Sequence, residues 1–244
     1  MRKFGLIGFP LGHSFSKGYF TRKFSDMSDV DASYENFPLE SIEELQQLLK
    51  FQPELRGLNV TIPHKEKVIA YLQHLSPEVK EINACNCIVV KEGQLTGYNT
   101  DYIGFKNSLI RKLKPHHTNA LILGWGGASK AIAYALRTLD INYLVVSRRS
   151  TLPGTISYDQ LNAEIINQHQ LIINCTPIGM YPKIEEAPSI PYQFITDKHF
   201  LFDLIYNPAQ TMFLQLGEER GATIENGLDM LALQAEESWR IWNS

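Results

Sequence analysis

Cysteine is scarce in this sequence, and the few that are present exclude two kinds of structure. Cys85, Cys87 and Cys175 are an odd number without a Cys-x-x-Cys pair, so they indicate neither a disulfide framework nor a zinc site. We interpret them as reduced and mostly buried thiols. Internal repeats, heptads and low-complexity tracts are also absent. An ordinary apolar core is therefore expected to hold the fold together.

Long apolar runs and a strong net charge are missing as well. No run approaches the roughly 20 apolar residues that cross a bilayer, and the first five residues lead into a strand pattern without a signal-peptide core. The formal net charge of −3 disfavours nucleic acid or an anionic membrane as the main partner. With 244 residues, 44% of them hydrophobic, the chain is long enough for one large or two smaller domains. We expect a cytoplasmic protein.

The stretch from Gly57 to Lys65 predicts a short buried strand that ends in polar groups. Apolar residues at 58, 60 and 62 alternate with Asn59 and Thr61, so one face packs while the other presents an amide and a hydroxyl. Pro63 ends the strand, and Lys65 precedes a helix predicted over 66–72. An amide, a hydroxyl and an amine then meet where open α/β sheets bind ligands. The alternative is an edge strand with a solvated lysine.

Two other polar stretches in the first half also have structural alternatives. Ser14 and Ser16 are two residues apart, so in an extended backbone their hydroxyls point the same way and suit a carboxylate or a polyol. They are also suited to capping a helix over 17–24, which is the more common role of serines in such a position. Taken by itself, Asp101 is best explained as the N-cap of a helix over 102–113.

The second half begins after a polar link over 114–118 and has the order of a nucleotide-binding unit. A strand over 120–123 leads into Gly124-Trp125-Gly126-Gly127-Ala128-Ser129, followed by a helix over 130–139 and a strand over 143–146. Glycines in this setting let the backbone approach a pyrophosphate at the helix N-terminus. The loop departs from strict G-x-G-x-x-G at Ser129. A purely structural glycine turn is the alternative.

The residues after the second strand of this unit favour one form of the cofactor. An acid at this point hydrogen-bonds the ribose 2′-hydroxyl of NAD, but Ser147, Arg148 and Arg149 stand here and no acid follows until Asp159. Arginines favour a 2′-phosphate through charge-assisted bonds. NADP is therefore the expected cofactor.

These motifs together resemble those of shikimate dehydrogenases. The segment Asn59-Val60-Thr61-Ile62-Pro63-His64-Lys65 is similar to the family's Asn-Val-Thr-x-Pro-x-Lys motif, and six motifs follow the family order between about Gly5 and Trp242. The resemblance implies a two-domain α/β fold. An N-terminal α/β substrate domain, residues 1–103 completed by the C-terminal helix at 228–244, is joined to a Rossmann-like dinucleotide-binding domain at 104–227.

The resemblance also implies roles for individual residues. Lys65 is implied as the catalytic acid/base, with Asp101 facing it across the substrate. The implied substrate-binding residues are Ser14, Ser16, Asn59, Thr61, Asn86, Tyr206 and Gln234. The implied cofactor-binding residues are Gly124, Gly126, Gly127, Ala128, Ser129, Ser147, Arg148, Arg149, Thr176, Leu204, Gly227 and Met230. The chain departs from the family pattern at Asn83, where glycine is usual, at Cys87, where threonine is usual, and at Ser147 and Arg149.

The implied activity is the reversible, NADP-dependent reduction of 3-dehydroshikimate to shikimate, in aromatic amino acid biosynthesis through chorismate. No metal is implied, and the chain is expected as a monomer or a homodimer. A quinate-preferring relative that uses NAD is one alternative, disfavoured by the two serines and by the arginines. A sensor that binds shikimate without turnover is another, disfavoured by the presence of both Lys65 and Asp101.

Overall fold

A computed structural model describes residues 1–12, 15–27, 31–148 and 154–244. The chain divides into two compact units, unit 1 formed by Met1–Ile103 and Gln234–Ser244, and unit 2 formed by Gly104–Leu233. Each unit contains a six-stranded sheet. The predicted two-domain α/β class is confirmed.

The sheet of unit 1 is mixed and has the order β2-β1-β3-β5-β6-β4. Its strands are β1 (Arg2–Gly8), β2 (Ala32–Pro38), β3 (Leu55–Val60), β4 (His74–Leu75), β5 (Cys87–Lys91) and β6 (Gln94–Tyr98). β1 is parallel to β2 and β3, whereas β5 is antiparallel to β3 and β6. Cys87 is in register with both Asn59 and Tyr98. The ends of β1, β3 and β6 and the start of β5 therefore share one edge of the sheet.

Short helices connect these strands and cover a largely aliphatic core and a second, aromatic one. The helices in the first half of the chain are α1 (Phe15–Asp26), α2 (Leu45–Phe51), α3 (Pro77–Ile82) and α4 (Asp101–Leu109), with 3-10 turns at Ile42–Glu44 and Lys67–Tyr71. The first of these turns starts at a capping box, in which the Ser41 N–H donates to Glu44 Oε1 at 2.7 Å. The aromatic core joins Phe4, Phe20 and Trp242.

Two predictions around Lys65 were wrong. The helix expected over 66–72 is a 3-10 helix, Lys67–Tyr71, because so short a segment gains too few i→i+4 hydrogen bonds to offset nucleation. Ile62 was expected on the packed face, but β3 ends at Val60 and the Ile62 side chain is 72% exposed. The polar residue Asn59 is instead buried, at 4% exposure.

The sheet of unit 2 is parallel throughout, with the order β12-β11-β10-β7-β8-β9. Its strands are β7 (Asn119–Leu123), β8 (Asn142–Val146), β9 (Thr155–Ile156), β10 (Leu171–Asn174), β11 (Phe200–Asp203) and β12 (Thr223–Glu225). The chain leaves β7 toward β8 on one side and returns to β10 on the other. The carboxyl ends of β7 and β10 thus flank a topological switch point, the usual ligand position in such sheets.

The helices of the second half are α5 (Gly127–Arg137), α6 (Ala163–Gln168), α7 (Met212–Glu218) and α8 (Leu228–Trp242), with 3-10 turns at Tyr158–Gln160 and Tyr192–Phe194. The boundary between the two units falls within α8, at 233/234. The first turns of α8 belong to unit 2, where Asp229 Oδ2 pairs with Arg111 Nη1 at 2.6 Å. Among the described residues, no helix has the length and apolarity that crossing a membrane requires.

Candidate active site

Lys65 and Asp101 form a close ion pair in unit 1. The chain turns after β3 and carries Lys65 back over the sheet edge, where its carbonyl accepts from the Cys85 N–H at 2.8 Å. Lys65 Nζ lies 2.7 Å from Asp101 Oδ2, and the two side chains are 17% and 8% exposed. Asp101 is in the first turn of α4, where the helix dipole favours a carboxylate. The predicted catalytic residues are thus in direct contact.

Asn86 holds the other oxygen of that carboxylate. Its Nδ2 donates to Asp101 Oδ1 at 2.8 Å, and its own Oδ1 accepts from the Thr100 N–H at 2.6 Å. The amide of Asn86 is therefore fixed by one hydrogen bond that it donates and one that it accepts. Asp101 is held at both oxygens and cannot rotate away from Lys65 without losing one of them.

Asn59 lies deeper in the same network. Its Oδ1 accepts from the Tyr34 hydroxyl at 2.8 Å, while its Nδ2 donates to Ser238 Oγ at 2.9 Å and to the Asn86 carbonyl at 3.3 Å. Burial raises the pKa of Tyr34 well above its ordinary value, whereas a hydrogen bond with Ser16 lowers it. Tyr34 is therefore a firm donor, and both amide hydrogens of Asn59 are engaged.

Of the remaining predicted substrate residues, some lie in or near this network and others do not. Gln234 Oε1 lies within hydrogen-bond distance of Asn86 Nδ2, at 3.4 Å, and of Thr100 Oγ1, at 3.3 Å. Thr61 packs so closely on Gly8 that a Cβ there would lie 2.4 Å from Thr61 Cγ2. Tyr206 belongs to unit 2, after β11. Ser14 lies outside the described residues.

Three members of this network were missed by the sequence analysis. Ser238 stands one helical turn after Gln234 on α8, an i,i+4 spacing that places both on one face and offered a signal. Thr100 lies inside the Asn-Thr-Asp motif but was not singled out. Tyr34 carried no signal, because nothing in the pattern of β2 distinguishes it from a packing residue.

The predicted dinucleotide loop lies at the switch point of unit 2. Gly124 has a φ of +93°, and a Cβ there would lie 2.8 Å from Thr176 Cγ2, so the loops after β7 and β10 touch at a position that only glycine fits. An added Cβ on Gly126 would meet nothing within 4 Å. The structure thus brings Gly124 and Thr176 together beneath an open approach to the first turn of α5, which contains Gly127 and Ala128.

The hydroxyl of Ser129 closes this loop on itself. It accepts from the Gly126 N–H at 2.6 Å and donates to the Gly126 carbonyl at 2.7 Å, and the residue is 1% exposed. The serine at the sixth position of the fingerprint, a departure from strict G-x-G-x-x-G, therefore stabilises the turn that precedes α5.

A buried carboxylate organises the neighbouring loops. Asp203 accepts from Asn174 Nδ2 at 3.0 Å, from the Ile205 N–H at 3.0 Å and from Thr211 Oγ1 at 2.6 Å. Asn174 Oδ1 in turn accepts from the hydroxyl of Thr176 at 2.7 Å. Burial raises the pKa of Asp203 to about 6 despite these hydrogen bonds. One carboxyl group thus links the loops after β10 and β11.

Three predicted cofactor residues follow β11 or begin α8. Gly227 approaches the backbone of Leu204 so closely that a Cβ would lie 2.2 Å from the Leu204 carbonyl oxygen, so this contact requires glycine. The Gly227 N–H donates to the carbonyl of Ile205 at 3.1 Å. Met230 is buried at 6% exposure.

Arg148 is exposed beyond the end of β8. Its charge acts on Tyr158, whose pKa is raised by burial and lowered by the guanidinium, while the Ser147 N–H donates to the Ile156 carbonyl at 2.9 Å. A fixed backbone therefore carries a cationic side chain that is available to a ligand. Arg149 lies outside the described residues.

Neither metal ligands nor reactive thiols stand out in the described part of the chain. It contains no group of three or more His, Cys, Asp or Glu side chains that could hold a metal. Burial raises the pKa of Cys85 to about 12 and that of Cys87 well above its ordinary value, so both thiols are protonated. All three cysteines are free.

Comparison with known proteins gives consistent results over nearly the whole chain. Residues 6–88 match the family model described as the shikimate dehydrogenase substrate binding domain. A shikimate dehydrogenase (NADP(+)) of Methanosphaera stadtmanae is 37% identical over 98% of this chain and 90% of that protein.

Solved structures agree in fold. The shikimate 5-dehydrogenase of Thermus thermophilus, in complex with NADP(H) and shikimate, is similar at a TM-score of 0.88 and 31% identity, over 99% of this chain and 93% of that one. The ligand-free 5-ketofructose reductase of a Gluconobacter species has a TM-score of 0.84 and 28% identity, over 99% and 92% of the two chains. The same fold therefore serves at least two differently named enzymes.

Proposed function

Because the chain belongs to the shikimate dehydrogenase family, we propose that it catalyses the reversible, NADP-dependent reduction of 3-dehydroshikimate to shikimate. This oxidoreductase step serves aromatic amino acid biosynthesis. Within this chain, the main support for the proposal is the Lys65–Asp101 ion pair. It lies at the edge of the unit 1 sheet where β1, β3 and β6 end. A protein that only bound shikimate would need no amine and carboxylate in contact at 2.7 Å.

In the proposed reaction Lys65 supplies the proton. When bound, NADPH supplies a hydride to the C3 carbonyl carbon, and the carbonyl oxygen then needs a proton to become the hydroxyl of shikimate. Lys65 Nζ donates that proton, and in the reverse direction it accepts the proton of the same hydroxyl. Asp101, held by Asn86, keeps the amine in place and orients the reacting oxygen.

The substrate side of the proposal uses the polar edge of unit 1. Ser16, with Ser14, holds the carboxylate of shikimate, and Asn59, Thr61, Asn86 and Gln234 meet its hydroxyls. Support comes from the burial of Asn59, Asn86 and Gln234 within one network, which leaves little rotational freedom in the binding groups. Tyr206 of unit 2 is proposed as a further substrate contact.

The cofactor side of the proposal uses unit 2, whose residues fit a dinucleotide. The open space above Gly126 and the N-terminus of α5 suit a pyrophosphate, and Arg148, with Arg149, suits a 2′-phosphate. Thr176, Leu204, Gly227 and Met230 are proposed to border the nicotinamide. The proposed domain bounds remain those of the sequence analysis, and the chain acts as a monomer or a homodimer in the cytoplasm.

The test is the change in NADPH absorbance with the purified chain. Shikimate with NADP should give turnover, with kcat/KM well above that for quinate, and NAD should be a poorer cofactor than NADP. A parallel assay with 5-ketofructose and NADPH tests the other activity found on this fold. Higher kcat/KM with quinate and NAD, or with 5-ketofructose, would overturn the proposed substrate, and binding of shikimate without turnover would indicate a sensor.

A further inference from the structure

We propose that Ser238 is a positioning residue of this reaction. Its hydroxyl joins Asn59 to Thr100 and so fixes the side-chain amide of Asn86, which holds Asp101. The inference rests on the proposed function. Ser238 stands on α8, far from Lys65 in sequence, and is fully buried. Among the described residues, its hydrogen bonds run to Asn59, Thr100 and Gln234, so it acts on the Lys65–Asp101 pair through the residues between them.

Because a hydroxyl has one hydrogen to donate and two lone pairs that accept, the donor and the acceptor of each hydrogen bond at Ser238 can be assigned. The single hydroxyl hydrogen is donated to the Gln234 carbonyl one turn earlier, at 2.9 Å, as buried serines in helices often do. Both lone pairs then remain to accept, from Asn59 Nδ2 at 2.9 Å and from Thr100 Oγ1 at 3.2 Å. The hydroxyl is thus engaged both as a donor and as an acceptor, and the weakly polar thiol of Cys87 lies within its reach as well.

The direction of the hydrogen bond between Thr100 and Ser238 follows from this assignment. Since Thr100 Oγ1 gives its hydrogen to Ser238, it is an acceptor toward Asn86 Nδ2, at 3.0 Å. The other hydrogen of Asn86 Nδ2 goes to Asp101 Oδ1 at 2.8 Å. A directed series of hydrogen bonds therefore joins Ser238 to the catalytic carboxylate through Thr100 and Asn86.

Bulk water does not reach the members of this series. Thr100 is fully buried, and Asn86 and Asp101 are 3% and 6% exposed. Without the Ser238 hydroxyl, the hydrogen of Thr100 has two other acceptors, Gln234 Oε1 and Asn86 Oδ1, each at 3.3 Å. Turning toward either one disturbs the groups that orient Asp101, and Asn59 loses a partner as well.

Cys87 makes the hydroxyl of Ser238 more important. Threonine is usual at this position in the family pattern, but here a buried thiol lies beside Ser238, and a thiol is a weak donor and acceptor. Ser238 therefore supplies the strong hydrogen-bonding group at this point of the network.

The experiment compares the full-length chain with Ser238→Ala, Ser238→Thr and the control Ser108→Ala, using shikimate and NADP. Ser108 is a matched control because it is another buried helical serine, at 1% exposure, whose hydroxyl lacks a hydrogen-bond partner among the described residues. We expect Ser238→Ala to lower kcat about tenfold, on the scale of one hydrogen bond, with the KM for NADP unchanged within about twofold. Ser238→Thr, which keeps a hydroxyl, should restore kcat to about a third of wild type or more.

Several outcomes would overturn the inference. These are a wild-type kcat in Ser238→Ala, an equal loss in Ser108→Ala, or a threonine variant that melts like wild type yet is as slow as alanine. Should the alanine variant fail to fold, Ser238→Cys carries the same test, because it keeps the side-chain volume with a weaker hydrogen-bonding group. Wild type that turns over neither shikimate nor its oxidised form refutes the proposed function instead, and the inference falls with it.

Discussion

The candidate sites of the two units are built in opposite ways. In unit 1 the functional groups are side chains whose hydrogen bonds are made to one another, and Asn59, Asn86 and Asp101 are nearly inaccessible to solvent. In unit 2 the open part of the site is backbone, at Gly126 and the start of α5, beside the exposed Arg148. Side chains such as Ser129 and Asp203 hold loops there.

This difference predicts different kinetic effects for substitutions in the two units. A prearranged set of buried charges is suited to proton transfer, because it needs little reorganisation during the reaction. An open backbone cradle with one exposed cation is suited to ligand binding. Changes at the Lys65–Asp101 pair and the residues that hold it should therefore act mainly on kcat, and changes in unit 2 on cofactor affinity or on the stability of the loops.

Removal of Lys65 should have the largest effect on kcat of all the substitutions considered. A small effect would contradict the assignment of catalysis to unit 1 and of ligand binding to unit 2. Lys65→Ala should lower kcat roughly 10²–10⁴-fold, the usual contribution of a positioned acid/base. It should also lower the melting temperature, since Asp101 loses its ion-pair partner in a buried setting. Steady-state kinetics and thermal melting on the same preparation measure both.

Two variants separate proton transfer from charge pairing at this site. Lys65→Arg keeps a cation near Asp101 but does not release its proton readily, so it should retain most of the melting temperature and still lose turnover. Lys67→Ala removes an exposed lysine two residues away and should change stability by no more than about 0.5 kcal/mol. Near wild-type kcat in Lys65→Arg would exclude Lys65 from the proton transfer.

The contrast between the units also explains what could be predicted from sequence. The nucleotide-binding unit was predicted from the strand–glycine loop–helix order, because periodicity and turn residues are local signals. The two-domain α/β class was implied by the family resemblance, and it was confirmed. The roles assigned to the site residues remain predictions. The burial of Asn59 and the contacts of Tyr34 and Ser238 depend on residues far apart in the chain, 25 and 179 positions from Asn59. Register and tertiary packing decide such contacts, and no local pattern encodes them.

Protonation of Asp203 provides the next prediction, on the stability of unit 2. Because burial raises its pKa from the ordinary 3.8 to about 6, its contribution to stability is full below about pH 4 and is lost as the pH rises through about 6. The loss corresponds to about 3 kcal/mol. The unfolding free energy of Asp203→Asn relative to wild type should therefore increase by about this amount from about pH 4 to about pH 7. Urea unfolding across this range measures it.

An exposed aspartate of the same unit is the control for this titration. Asp140 is exposed and has a φ of +55°, which asparagine adopts readily, so Asp140→Asn should change the unfolding free energy by no more than about 0.5 kcal/mol at each pH of the series. A pH-independent difference for Asp203→Asn as well would mean that the carboxylate is ionised throughout, with its three hydrogen bonds outweighing the cost of burial.

Arg148 tests the open part of the unit 2 site. Arg148→Ala should weaken NADP binding by roughly 1.5–3 kcal/mol, the scale of a charged hydrogen bond, and leave NAD binding and the KM for shikimate almost unchanged. Isothermal titration with each dinucleotide measures the difference. An equal loss for NADP and NAD would place the guanidinium near the pyrophosphate or adenine, and wild-type efficiency with NAD equal to that with NADP would refute the assignment of the cofactor.

Ser129 should give the smallest effect, and it separates loop stability from ligand contact. Its hydroxyl is committed to the N–H and carbonyl of Gly126, so Ser129→Ala should cost about 1 kcal/mol of unfolding free energy, as the loss of a helix cap does, and raise the KM for NADP only as far as the loop loosens. Thr138→Ala is a matched control, because Thr138 Oγ1 donates to the Ala135 carbonyl at 2.8 Å at the other end of α5 and lies away from the loop. The melting temperature of Thr138→Ala should also fall, but the KM of this variant for NADP should not change. If Ser129→Ala kept wild-type stability and lost NADP affinity by about tenfold or more, the hydroxyl would be a direct ligand of the cofactor, and unit 2 would bind with side chains much as unit 1 does.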